Sequence, residues 1–122
     1  MTTTAPDQAE VAEKQLKKEL SDSIRDFNLN RSALLNKAEE EGGLEAVTRL
    51  QDDYDDLRDA YRAILDRQLD RNNHRYADLL AEAAEEVARL KQSVNSFQAT
   101  ERILEGLGKT LSVLGRALIV LG

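Results

Sequence analysis

Two stretches of this chain carry the residue types from which phosphate and metal chemistry is built. Residues 106–110 read Gly-Leu-Gly-Lys-Thr, so Gly108, Lys109 and Thr110 end like a phosphate-binding loop, in which backbone N–H groups cradle phosphates and the lysine neutralises them. That pattern requires a glycine where this chain has Ile103, and it requires a preceding β-strand where the composition predicts helix. Nucleotide binding is therefore not expected. Residues 52–56 read Asp-Asp-Tyr-Asp-Asp, a spacing at which carboxylates can share a magnesium ion and a diphosphate. A helical site of that kind needs an enclosing barrel and a second carboxylate cluster on a facing helix, and 122 residues are too few for both. Asp52, Asp55, Asp56 and Asp59 read instead as a solvated helix flank, offset by Arg49, Arg58 and Arg62 three or four positions away.

The remaining chemistry-bearing residues are single. His74 is the only histidine, which rules out a paired Glu-x-x-His iron site and leaves a catalytic triad without its other members. Tyr54, Tyr61 and Tyr76 fall at apolar positions of a helical repeat, where a phenol ring packs more readily than it reacts. No cysteine is present, so disulfides, thiol catalysis and thiolate metal sites are absent. The reading at this point is a protein with no catalytic, cofactor or metal site.

The elements that position these residues are helices. Charged residues make up 33 % of the chain and aromatics only 4 %, the balance of long helices and coiled coils and not of a large globular core. The formal net charge is −6, and basic residues alternate with acids, so no field draws in a nucleic-acid backbone. The N-terminus has neither the basic nor the apolar region of a secretory signal. Residence in the cytoplasm is the default expectation, with a peripheral membrane position or export by a non-classical route as alternatives.

Residues 1–5 read as a disordered N-terminus, and a first helix is expected from near Pro6, buried along Leu16, Leu20, Ile24, Phe27, Leu34 and Ala38. Asn28, Asn30 and Ser32 weaken it locally, because their side chains compete for backbone hydrogen bonds. Gly42-Gly43 ends it and reverses the chain, after an acidic triplet, Glu39-Glu40-Glu41, that sits unfavourably at the negative end of the helix dipole. Residues 44–105 then contain neither Gly nor Pro and favour one long helix of roughly 93 Å at about 1.5 Å per residue. Its seam runs Val47, Leu50, Tyr54, Leu57, Tyr61, Leu65, Leu69, Asn72, Tyr76, Leu80, Ala83, Val87, Leu90, Val94, Phe97, with a stutter after Tyr61. A break at Asn72-Asn73 is the alternative to a continuous rod. The expected fold is thus all-α, an elongated antiparallel hairpin or a coiled-coil or three-helix bundle over residues 6–102, followed by a separate apolar tail over residues 103–122.

That tail repeats every seven residues, with leucine at 104, 107, 111, 114, 118 and 121 and glycine at 108, 115 and 122. Aligned glycines admit a second backbone at close range. A short first helix cannot cover the second helix beyond about Tyr76, so the expected partner interface comprises Tyr76, Leu80, Val87, Leu90, Val94 and Phe97. The tail adds Leu104, Leu107, Gly108, Leu111, Leu114, Gly115, Leu118 and Leu121 to it. The function read from this pattern is non-enzymatic assembly or adaptation, by coiled-coil self-association into a homo-oligomer or by docking a helical protein. The alternative is action at a membrane, with residues 103–122 lying on its surface as an amphipathic anchor or forming a pore.

Overall fold

The computed structural model describes the backbone of residues 8–66 and 74–121, and the side chains across residues 10–66 and 77–118. Four helices account for almost all of these residues: α1 (Gln8–Leu29), α2 (Arg31–Asp66), α3 (His74–Asn95) and α4 (Thr100–Leu121). They pack as a helical bundle in which α1 touches α2 and α3, and α4 touches α2 and α3. The ion pair Glu19–Lys91 and the hydrogen bond from Asn95 to Asp26 rise in step along both helices, so α1 and α3 run the same way. Arg116 meets Glu82 at 3.4 Å, while Leu90 lies beside Gly106, so α4 runs opposite to α3. A start near Pro6 and a break at Asn72-Asn73 concern residues outside those described.

The weak point at Asn30 is visible. Its side-chain Nδ2 donates to the Asp26 carbonyl at 2.8 Å, the acceptor that its own backbone N–H also uses at 3.1 Å, and the helix is interrupted for that one residue. At Gly43 the backbone takes φ +72°, ψ −168°, a conformation open essentially to glycine alone, and it divides α2 into arms over residues 31–42 and 44–66. The second arm turns back toward α1 and stacks Tyr54 on Phe27, with ring centroids 3.6 Å apart and planes 15° from parallel. A Cβ on Gly42 would stand 2.7 Å from that of Ala46, so both glycines are required by the turn.

The continuous rod expected over residues 44–105 does not form, because α3 stops at Asn95. Phe97 has φ +50°, Gln98 N–H donates to the Ser93 carbonyl and Phe97 N–H to the Val94 carbonyl, both at 3.1 Å. This is the paired closure usually built on glycine, made here with a phenylalanine in the left-handed position. Lys37 donates its Nζ to the Phe97 carbonyl, and Glu41 Oε1 accepts from the backbone N–H and the hydroxyl of Thr100 at 3.0 and 2.8 Å. The first arm of α2 therefore holds the α3–α4 turn and caps α4 from outside. Glu41, placed by sequence at the wrong end of its own dipole, serves the positive end of another helix.

With the rod broken, the expected uncovered seam disappears. Leu80, Ala83, Val87, Leu90 and Val94 form a common core with Leu16, Leu20, Phe27 and Leu34 of the first two helices. The tail is not an appendage either, since α4 begins at Thr100 and sends Ile103, Leu107, Thr110, Leu114 and Ala117 into the same core. That stripe is rotated slightly from the leucine heptad, because an α-helix buries a broader face than a strict coiled-coil seam. After Tyr61 the buried position is Ile64, not the half-exposed Leu65, so the three-four alternation continues to Ile64, while the side chains of Leu69, Asn72 and Tyr76 lie outside those described.

Candidate docking surface

The residues expected to do chemistry are placed where they cannot cooperate. Gly106 through Thr110 lie inside α4, and the buried Thr110 hydroxyl donates back to the Gly106 carbonyl at 2.8 Å. No loop is there to cradle a phosphate. Asp52, Asp55 and Asp56 are exposed on α2, and Asp53 is held above the usual carboxylate range, first by burial and then by the charges of Asp56 and Asp52, against which Arg49 acts. Among the described residues, no three His, Asp or Glu side chains converge to hold a metal ion. The side chains of His74 and Tyr76 lie outside those described. Burial pushes the hydroxyl of Tyr54 far above the ordinary phenol range, beside the buried hydroxyl of Ser23. Both hydroxyls are buried without a hydrogen-bond partner, facing core and not substrate.

The expected interface residues are brought together, but with one another. Leu80, Val87, Leu90, Val94, Leu104, Leu107 and Leu114 are buried in the chain's own core, and Leu111 and Leu118 pack against it. Phe97 is 38 % exposed at the turn. A Cβ added to Gly108 or Gly115 would meet nothing within 4 Å, so among the described residues no backbone approaches these two glycines. Among the described residues no helix is long and apolar enough to cross a membrane.

A different surface stands open. Between the N-terminal halves of α1 and α3 runs a groove of about 580 Å³, lined by Val11, Ala12 and Gln15 on one side and by Ala77, Asp78, Ala81, Ala84, Glu85 and Ala88 on the other. The small alanine side chains create it: two parallel helices meet at the core through large residues but leave a trench above where Ala12, Ala77, Ala81, Ala84 and Ala88 project only methyl groups. Farther along the same two helices, Lys91 Nζ stands 2.9 Å from Glu19 Oε2 and 3.5 Å from Asp22 Oδ2. The Glu19 contact is short, although its angle is poor for a hydrogen bond. Direct contact with Glu19 raises the pKa of Lys91 above its ordinary value, burial acting against it and the charges of Glu19 and Asp22 adding to it. Gln15 donates to the other oxygen of Glu19 at 3.1 Å, so the buried carboxylate is served on both sides. Val11, 52 % exposed, stands at the groove's edge.

Family models, curated proteins and solved structures give no match to this chain. The surface must therefore be read from its own chemistry. It offers methyl groups and a carboxylate-bearing rim, and its lining holds no nucleophile beside a base. The sequence did contain its signal: Ala77, Ala81, Ala84 and Ala88 step by four, three and four, a second seam beside the core seam of the same helix. Alanine is so common in exposed helix that the stripe carries no contrast until a neighbouring helix is seen beside it.

Proposed function

We propose that this protein is a non-enzymatic helical assembly or adaptor protein that works by docking a helix, from another copy or from another protein, onto its surface in the manner of a coiled coil. The α1–α3 groove carries this reading. It is apolar, bordered by charge and shaped as a trench between two parallel helices, which is how an amphipathic helix is received. Large side chains from a docked helix fill the space left by Ala81, Ala84 and Ala88, while polar groups along the rim fix register.

Photo-crosslinking in the source cells tests this directly. A benzoylphenylalanine at Ala81, in the groove, is compared with one at Arg62, an exposed position on α2. The expected result is a discrete protein-sized adduct from Ala81 and none from Arg62. Absence of any adduct from Ala81 contradicts the docking role.

A further inference from the structure

We propose that the α3–α4 turn is a strained hinge through which two copies of this chain exchange their C-terminal helices, α4 of each copy taking the place of α4 in the other. This association is independent of the α1–α3 groove.

The hinge comprises residues 96–99, which lie between the end of α3 at Asn95 and the start of α4 at Thr100. They read Ser-Phe-Gln-Ala, with neither a glycine nor a proline to favour a turn. Phe97 nevertheless holds φ +50°, and among the described residues it is the one non-glycine with a positive φ. A side chain is strained there, because its Cβ crowds the following carbonyl oxygen. Two contacts from α2 bear on the turn, Lys37 Nζ donating to the Phe97 carbonyl and Glu41 accepting from the N–H and hydroxyl of Thr100. Thr100 belongs to α4 and meets Glu41 of whichever copy receives that helix. The turn itself, with its Lys37 contact, belongs to the closed form alone.

An exchanged pair keeps the rest of the fold. α4 buries Ile103, Leu107, Val113, Leu114 and Ala117, and it packs chiefly on α2 and α3. An α4 from a second copy brings the same side chains to the same site, Arg116 to Glu82 included, so these contacts are remade between chains. That identity selects a second copy as the occupant. The difference between the two forms then resides in the hinge and in the cost of bringing two chains together. Release of two left-handed phenylalanines per dimer opposes that cost, and short hinges under strain are where such exchange is favoured. Since α4 leaves only when the shared core opens, the choice between forms is made during refolding.

The absence of cysteine from the chain makes the exchange directly readable. Glu82 on α3 and Arg116 on α4 are exposed and meet at 3.4 Å. One full-length chain carries Glu82→Cys and a second carries Arg116→Cys. They are mixed in urea, refolded together at about 1 mM, where even a weak specific dimer is populated, and treated with a short bismaleimide. The expected product is a mixed covalent dimer joining position 82 of one chain to position 116 of the other, more abundant than when the two chains are folded separately and then mixed. Phe97→Gly in both chains removes the strain from both turns and is expected to lower the mixed dimer by about tenfold or more. Phe97→Ala deletes the ring but keeps a Cβ in the left-handed position, so its yield is expected to match that of the parent. Circular dichroism and thermal melting establish that each variant is folded. A mixed dimer no more abundant after joint refolding than after separate folding overturns the proposal. So does a Phe97→Gly pair that crosslinks as well as its parent, or a Phe97→Ala pair that loses the dimer as Phe97→Gly does.

Discussion

Glycine has opposite meanings at different positions of this chain, and single substitutions expose the difference. Gly43 holds φ +72° with ψ −168°, so Gly43→Ala is expected to cost about 1–3 kcal/mol, read as a lowered denaturant midpoint with unchanged slope. Gly108 lies mid-helix with nothing near a would-be Cβ, so Gly108→Ala is expected to stabilise by about 0.5–1 kcal/mol. If Gly108 served close helix approach, the second substitution would destabilise the fold; a higher melting point separates the roles. Tyr54 makes a parallel case. Its hydroxyl is buried without a partner, so Tyr54→Phe removes an unmet desolvation cost and retains the stack on Phe27. The expected result is equal or greater stability, and a loss of more than about 1 kcal/mol would reveal a hydrogen bond or buried water at that site.

At the scale of the helix, the sequence was most legible where apolar spacing alone decides burial. Leu16, Leu20, Phe27, Leu34 and Ala38 on one side, and Leu80, Ala83, Val87, Leu90 and Val94 on the other, are buried as their three-four steps predict. The Gly42-Gly43 turn and the weakness at Asn30 were equally readable, since each rests on a local residue property. The end of α3 was not. Phe97 occupies a left-handed position that glycine normally fills, and what fixes it comes partly from residues 37 and 41, far away in sequence. Hiding one helix end turned two helices into an apparent rod and made a core seam look like a free surface.

Two element-level predictions follow from what ties these helices. Thr100 draws the pKa of Glu41 below the ordinary carboxylate value, chiefly through its backbone N–H and then its hydroxyl. A depressed folded pKa means that the cap stabilises above the unfolded-state value and is lost as pH falls through the folded one. Glu41→Gln should therefore melt lower than wild type at neutral pH, with the difference closing in acid below the usual carboxylate range. A difference that is constant across pH would show that charge at the α4 N-terminus does not matter. Lys91, raised by Glu19, behaves in the opposite sense: its contribution is present at neutral pH and fades only as pH climbs past the ordinary lysine range. Lys91→Ala leaves the buried carboxylate of Glu19 without its cation, and with the lysine partly exposed a loss of about 1–2 kcal/mol is expected at neutral pH. Urea melts at neutral pH measure it, and a change within error would show that water replaces the lysine freely.

The whole molecule follows from how its apolar surface is used. The leucines of the C-terminal repeat look, in isolation, like an interface awaiting a partner; within the bundle Leu104, Leu107 and Leu114 belong to one core shared with α1, α2 and α3, and Leu111 and Leu118 pack against it, while the side chain of Leu121 lies outside those described. Sequence periodicity reports that a face will be buried, but not whether the same chain buries it. Among the described residues, the alanine trench between α1 and α3 stays open, and periodicity marks it only faintly. The account stands on α4 belonging to the core. Native-state hydrogen exchange measures this most directly, by comparing amides around Leu107 and Leu114 in α4 with those around Val87 and Leu90 in α3. The account predicts that both sets exchange only through global opening, with the same free energy and the same denaturant dependence. Fast exchange in α4 beside full protection in α3 would contradict it, and would mean that the C-terminal helix is detachable and its leucines are free to meet a partner.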